Sequence, residues 1–584
     1  MALGLALREL YNIHHCTYVQ GVLRYGVNMA IPESLVADLV LLNGNVITVD
    51  KKESLAQAVA VKGDRIIHVG KDREVRGLVG KSTCFIDLTG KTVLPGFIEP
   101  HTHFMSFGIR LKMVNVRTPP NQTISDVLER IRERAKDTPK GEWIQAQGYE
   151  HTAIREKRWP TRAELDGAAP DHPLVITYRS SHVWMANSKA LELAGINKDT
   201  PQPQGGHIDR DPQTGEPTGV LREKAASRPV TRLVPHPSLE ELKEGVVEAG
   251  KEYLSVGITS THDAGTGDTP DYYRAYQETI EEGRLKVRVY LMIHDLPYAR
   301  FYMERDLGLR TGFGNEKLRL GPVKTCSDGS IQVYTCAFYD PYIKSDTNDP
   351  TRDPRGVLQV SPEDQKKIIL EAHGKGYQVA IHAQGDRGID VALDAIENAM
   401  EKHPRENARH RIEHCQCVTP KGLERMKRMG VIASFYPHHI WYWGDRHISD
   451  FLGMERASKI DPMKSAVNMG VVTIAHSDTP IALPKDPLFA TDPLFGMWCA
   501  VNRKTRAGVL LGPEERLTPM EAIRCYTVNA AYASFEENLK GSIEEGKLAD
   551  FVVLSESPLV VDPWEIRNIK VEKTIVGGEI VYEA

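Results

Sequence analysis

The sequence predicts an α/β protein: a (β/α)₈ TIM barrel carrying a β-sandwich made from both chain ends, with an insertion after the first barrel strand. Three observations carry this expectation. Short apolar runs alternate with helical stretches eight times, polar residues stand at the C-terminal end of most of these runs, and hairpin-like segments occur near both ends of the chain.

The chain has 584 residues, long enough for two to four folding units and a substantial core. Residues 1–36 precede the first clear strand and are read as an N-terminal arm: a helix, a subunit contact or a loosely held end. From Ala37, ADLVLLNGNVITVD and AVAVKGDRIIHVG give apolar runs punctuated by Asn-Gly and Gly-Asp, the pattern of antiparallel hairpins. LADFVVLSE and VEKTIVGGEIVYEA repeat it near the C-terminus, with Gly577-Gly578 as a hairpin turn. Segments 37–92 and 537–584 are therefore expected to form one composite β-sandwich, since chain termini often lie close together.

The barrel is expected over 93–115 and 232–536. Its eight strands are read at VLPGFIEPHTH, GITSTHDAG, LKVRVYLMI, LRLGPVKTCSDG, QVAIHAQ, RHRIEHCQCV, VIASFYPH and VVTIAHSDTP. One βα unit has its punctuation intact. Ser361 caps a helix with Pro362 in its first turn, and Gly374 and Gly376 stop it before QVAIHAQ. More than a hundred residues separate the first two strands, including a capped helix at 123–135 and the Pro/Gly/Asp-rich PQPQGGHIDRDPQTGEPTG. A connection of that size is a lid or an inserted subdomain, read here as 116–231 over the barrel mouth.

Composition narrows the function. The net charge of −5 arises from 73 basic and 78 acidic residues without long like-charge blocks, so no nucleic-acid or membrane footprint stands out and a small-molecule substrate is expected. Eight cysteines without C-x-x-C spacing suggest reduced thiols in the cytoplasm, and neither a secretory leader nor a membrane-spanning run is evident. A homodimer is the default assembly.

Chemistry-bearing residues gather at strand ends. His101 and His103, two apart on a strand, would present both imidazoles to one point. With 21 histidines in the chain, random placement alone gives about one such pair, so the pair needs company. Lys324 lies in the fourth run, His382 in the fifth, His414 in the sixth and Asp478 in the eighth. Individually each has an ordinary reading: turn-capping or hydrogen-bonded histidines, a surface or ion-paired lysine, and an aspartate that caps a helix. At the same end of successive strands, the six together point to a site for Zn²⁺ or a similar divalent ion that activates water, with Asp478 shuttling a proton.

PGFIEPHTHF, VKTCSDGS, VAIHAQGDRGID, RIEHCQ, HSDTPI and GSIEEGKLADFVVL resemble the amidohydrolase superfamily, specifically its YtcJ-like or amidohydrolase-3 branch, which includes N-substituted formamide deformylase. The likeness runs from about residue 37 to the C-terminus and covers the insertion through RWPTRAELD, SSHVWMANSKAL and GGHIDRDPQTGEPTGVL. It implies a binuclear centre: His101, His103 and Asp478 on one metal, His382 and His414 on the other, and a CO₂-derived carbamate on Lys324 bridging both. Lys324 and Asp478 are the implied catalytic residues. The implied reaction is hydrolysis of a C–N bond in an amide, formamide or cyclic amide.

His182 matches a position expected to face substrate, against a structural alternative, while Asn187 reads as a helix cap. Tyr436, His438, Trp441 and Trp443 form an aromatic cluster after the seventh strand, either a substrate wall or packing. Cys326, Cys336, Cys415 and Cys417 lie near the proposed ligands, and a thiolate could replace the carbamate. Two other readings stay open: a mononuclear Zn deaminase with free Lys324, and a non-catalytic barrel that binds.

Overall fold

The computed structural model describes residues 36–266, 269–294, 308–344, 353–480 and 492–584. The arm expected at 1–36 lies outside these residues except for residue 36.

Eight parallel strands form a nearly closed sheet: β1 (Phe97–Thr102), β2 (Ile258–Thr266), β3 (Arg288–His294), β4 (Leu318–Cys326), β5 (Val379–Ala383), β6 (Arg411–His414), β7 (Ile432–Phe435) and β8 (Thr473–Ala475). Neighbours follow chain order, as repeated βα units require. The seam between β1 and β8 closes just past the strand ends, where the His103 N–H donates to the Thr479 carbonyl at 2.7 Å and the Asp478 N–H to the His101 carbonyl at 3.2 Å. The interdigitated register sets Lys324 beside His294, His382 beside Cys326, and Glu413 beside His382.

Local sequence explains the outer helices. Ser361 accepts from the Asp364 N–H and starts the helix Pro362–Gly374; Gly376, at φ 85°, then releases the chain into β5. Ser238 and Glu241 close a capping box on Leu239–Leu254, whose buried face packs on β1 and β2 through Val246, Ala249 and Tyr253.

Two further sheets come from the chain ends. One, in the order Arg65–Gly70, Ala58–Lys62, Leu39–Leu42 and Cys84–Asp87, uses the N-terminal part only. The other joins Glu579–Glu583, Val571–Val576 and Phe551–Leu554 to Thr92–Pro95, Asn45–Ile47 and Leu55–Ala56, so both ends share it. Val46, Val59, Val93, Phe551 and Ile575 fill the core between the two sheets. Gly577 and Gly578, both at positive φ, make the expected hairpin turn.

Two local expectations change. Asn43-Gly44 is not a hairpin turn: Leu39–Leu42 pairs with Ala58–Lys62 and Cys84–Asp87, whereas Asn45–Ile47 pairs with Leu55–Ala56 and Thr92–Pro95, so the two strands enter different sheets. The run before His101 is also divided. Thr92–Pro95 belongs to the end sheet and the barrel begins at Phe97, the break falling at Gly96, where a Cβ would meet Thr259 Oγ1 at 2.3 Å.

The insertion has its own six-stranded sheet, ordered His207–Arg210, Pro217–Arg222, Val183–Ala186, Leu174–Tyr178, Ile144–Tyr149 and Val114–Asn115. The helix Ile124–Asp137 packs on it, capped by Thr123 as the sequence indicates. Glu150 pins this unit to the chain after β7: the buried carboxylate accepts from Tyr442 Oη at 2.7 Å and Trp443 Nε1 at 3.2 Å, pairs with Arg179 Nε at 3.1 Å, and also pairs with Arg446.

Among the described residues no helix is long and apolar enough to cross a membrane. Six described cysteines are free, but Cys84 is disulfide-bonded, which departs from the expectation of uniformly reduced thiols.

Candidate metal centre and active-site cavity

The cavity at the C-terminal ends of the barrel strands is small, about 80 Å³. Its floor holds His103, Lys324, His382, His414 and Asp478, with His101 buried directly beneath. The structure thus gathers all six residues singled out in the sequence. The ligand-capable atoms of His101, His103 and Asp478 lie within 4.8 Å of one another. Asp478 Oδ1 stands 3.6 Å from His101 Nε2 and 3.4 Å from His103 Nε2. The His414 ring lies 4.4 Å from that of His382 and 4.9 Å from that of His101, centroid to centroid.

Several features prepare these imidazoles as ligands. Burial is the largest cause holding His101, His382 and His414 well below the usual histidine pKa, with nearby Lys324 contributing to each, so the rings are neutral with a lone pair available. His101 Nδ1 lies 2.5 Å from Glu413 Oε2. Burial opposes ionisation of Glu413, but Arg411 and then Lys324 outweigh it and depress its pKa; an ionised carboxylate only accepts, so His101 Nδ1 carries the proton and Nε2 turns its lone pair to the site. Arg411 Nε closes the relay at 2.7 Å from Glu413 Oε1.

Lys324 Nζ points into the site, 3.4 Å from His101 Nε2, and burial lowers its pKa. It is therefore not a surface lysine. His414 and Asp478 both occupy left-handed backbone, at φ 68° and 51°, which costs a residue with a Cβ about 1 kcal/mol or more. The turn lets consecutive Glu413 and His414 both serve the site, although strand alternation alone would send them to opposite faces.

The donor set fits a divalent cation. Asp478 Oδ1 and His414 Nδ1 are buried without a hydrogen-bond partner, a costly state that a bound ion relieves at the carboxylate. The mix of imidazole nitrogens and carboxylate suits Zn²⁺ or a similar metal.

The cavity wall comes largely from the insertion. His182 lines it, its ring 5.1 Å from that of His382, and His182 Nδ1 lies 2.8 Å from Glu223 Oε2. Burial disfavours the charged imidazole, but the Glu223 carboxylate more than compensates and raises its pKa. Asn187 is a cap, its Oδ1 accepting from the Ala190 N–H at 3.1 Å. Tyr436, His438 and Trp441 do not line this cavity. Tyr436 stacks on His476 at 5.2 Å, His438 packs near Phe495 at 5.7 Å, and Trp441 meets Trp498 edge-on at 5.1 Å. The helix His438–Tyr442 begins so soon after β7 that its rings are carried into the core against Pro493–Asn502.

Burial raises the thiol pKa of Cys326, Cys336, Cys415 and Cys417, which disfavours the thiolate needed for ligation; of the four, only Cys326 lines the cavity. Sequence reading did not single out Glu413, Arg411, His476 or the wall residues Glu223, Lys224, His294 and Gln359. Glu413 and His476 lie inside the recognised segments RIEHCQ and HSDTPI, so adjacency was the available signal. His476, fully buried, packs its ring 4.7 Å from that of His101.

A parallel barrel with buried His, Asp and Lys side chains converging at its catalytic end defines the class of metal-dependent barrel hydrolases. The chain belongs to the amidohydrolase family, whose model matches residues 85–582. It is 32% identical to N-substituted formamide deformylase of Arthrobacter pascens, over 94% of this chain and 98% of that protein. It is 30% identical to the YtcJ protein of Bacillus subtilis, over 92% and 98% respectively. Among solved structures, an uncharacterized metal-dependent hydrolase from Pyrococcus horikoshii matches with a TM-score of 0.70 and 28% identity, covering 90% of this chain and 99% of that one.

Proposed function

We propose that this amidohydrolase cleaves a C–N bond in a small amide or formamide. The observation that carries the reading is the convergence of His101, His103, Lys324, His382, His414 and Asp478 on one buried site, with Asp478 Oδ1 lacking a hydrogen bond. Formamide deformylase activity in a relative of 32% identity supports the bond type.

His101, His103 and Asp478 would hold one divalent ion, His382 and His414 a second, and Lys324, as its carbamate, would serve both. Such ions supply nucleophilic water near neutral pH and polarise a carbonyl. The chain's own groups do the rest. The Asp478 carboxylate takes the proton released at the nucleophile and returns it to the departing nitrogen. Glu413 and Arg411 hold the His101 tautomer. His182, from the insertion, faces the substrate, and the insertion itself shelters the reacting atoms from bulk water.

A mononuclear deaminase of the same fold is the second reading. Two observations favour it: His382 Nε2 lies 3.0 Å from the Gly329 carbonyl, and the cluster of ligand atoms found among the described residues contains His101, His103 and Asp478 only. Metal analysis with mass measurement of Lys324 separates the two. Two ions per chain and a carboxylated lysine, with turnover of N-substituted formamides, are expected. One ion with a free lysine, and release of ammonia from aminated heterocycles, would establish the deaminase instead.

A further inference from the structure

The cavity wall carries a positive charge that the proposed reaction does not use. Lys224, in the first turn of the helix Glu223–Thr231, lines the cavity together with His294 from the end of β3. Lys224 Nζ lies 2.8 Å from His294 Nε2. An ammonium only donates, so His294 Nε2 accepts one of its three protons and two remain. Among the described residues no carboxylate lies within 4.0 Å of Lys224 Nζ. Glu223, although adjacent in sequence, directs its Oε2 to His182 Nδ1 and Gln359 Nε2, each at 2.8 Å, while its Oε1 is buried without a hydrogen-bond partner. Asp478, the other acid of the lining, faces His101 and His103 across the floor.

A second cation stands at the same rim. Arg110 Nη2 donates to Ser181 Oγ at 2.9 Å, and Ser181 lines the cavity. Among the described residues it too has no carboxylate within 4.0 Å. Lys224 is solvent-exposed, and its spare ammonium donors, with the Arg110 guanidinium at the same rim, attract a ligand anion through charge-assisted hydrogen bonding.

We propose that the substrate carries a carboxylate, bound by Lys224 with His294 at its side, so that the enzyme acts on short N-acylated or N-formylated amino acids rather than on neutral amides. The inference rests on the hydrolase reading and adds the substrate's charge. The cavity of about 80 Å³ suits a short acyl group and a short linker between the amide and the carboxylate.

The test uses metal-loaded full-length protein and matched substrates: N-formyl ω-amino acids of two to four carbons and neutral N-formyl alkylamines of equal length. The expected result is a preference for the acids in kcat/KM of about 100-fold, collapsing toward unity in Lys224→Met mainly through KM and largely retained in Lys224→Arg. A wild-type ratio near one, or a ratio unchanged in Lys224→Met because both series fall together, would overturn the proposal. If neither series is hydrolysed, the C–N hydrolase reading fails by itself, and calorimetry with N-acetyl-β-alanine against N-propylacetamide decides the carboxylate site. Selective binding of the acid, lost in Lys224→Met, supports it; equal binding overturns it.

Discussion

The floor and the wall of the cavity are built by different rules. The floor is made of residues at barrel strand ends, buried except for the part-exposed His103 and braced by the Glu413–Arg411 relay, while the wall comes largely from the insertion, whose His182 and Glu223 meet the floor from outside the barrel. The floor's geometry is a product of the barrel's hydrogen-bonded register; the wall's depends on how one folded unit docks on another. Chemistry common to many substrates belongs on the rigid floor, and discrimination belongs on the separately anchored wall.

The sharpest way to break this division is at the floor. Asp478→Asn should lower kcat by about 10,000-fold toward every substrate alike, measured on metal-loaded protein, since proton shuttling is lost. A loss confined to some substrates would mean that Asp478 also discriminates among them. The anchor of the wall comes next. Glu150→Gln should destabilise the docked insertion by about 3–5 kcal/mol, because Arg179 and Arg446 lose a buried partner.

Glu150 also sets a pH dependence. Burial opposes its charge, but Arg446 and Arg179 bring its pKa down to about 2 from 4.5. A depressed folded pKa means stability that is present above pH 4.5 and lost as the pH falls toward 2. Denaturation followed across that window should show the acid slope in the wild type and a shallower one in Glu150→Gln.

A smaller effect is expected where the floor is braced rather than formed. Glu413→Gln should weaken metal affinity by about 10- to 100-fold, read by competition with a chelator. The smallest is at the wall: His182→Gln should raise KM about tenfold with little change in kcat, as loss of one substrate hydrogen bond implies. A fall in kcat as large as that of Asp478→Asn would move His182 from the wall into the proton-transfer machinery.

Much of the floor was legible in the sequence, and for an identifiable reason. The His-x-His spacing marks the end of β1, with His101 inside the strand and His103 just past it as the N-cap of the helix Phe104–Arg110, so strand alternation alone does not place the second histidine. The βα punctuation around Pro362–Gly374 locates β5 and hence His382. The same rule hides Glu413: with His414 assigned to the site, alternation sends its neighbour away, and only the left-handed backbone at His414 brings both in. For the aromatic cluster the sequence left a substrate wall and packing open, and the structure shows packing, because proximity to β7 in sequence says nothing about which way a following helix carries its rings. Asn43-Gly44 looked like a hairpin because the dipeptide permits one, yet the two flanking strands had better partners in separate sheets.

The sequence by itself indicated the barrel, the shared β-structure of the two ends and the six residues that converge at the site, because each depends on short-range periodicity or on a motif a few residues long. Only the tertiary structure decided the tautomer-setting Glu413, the Glu150 anchor and the Lys224–His294 pair. These join residues 312, 296 and 70 positions apart, through packing between units that no local pattern encodes.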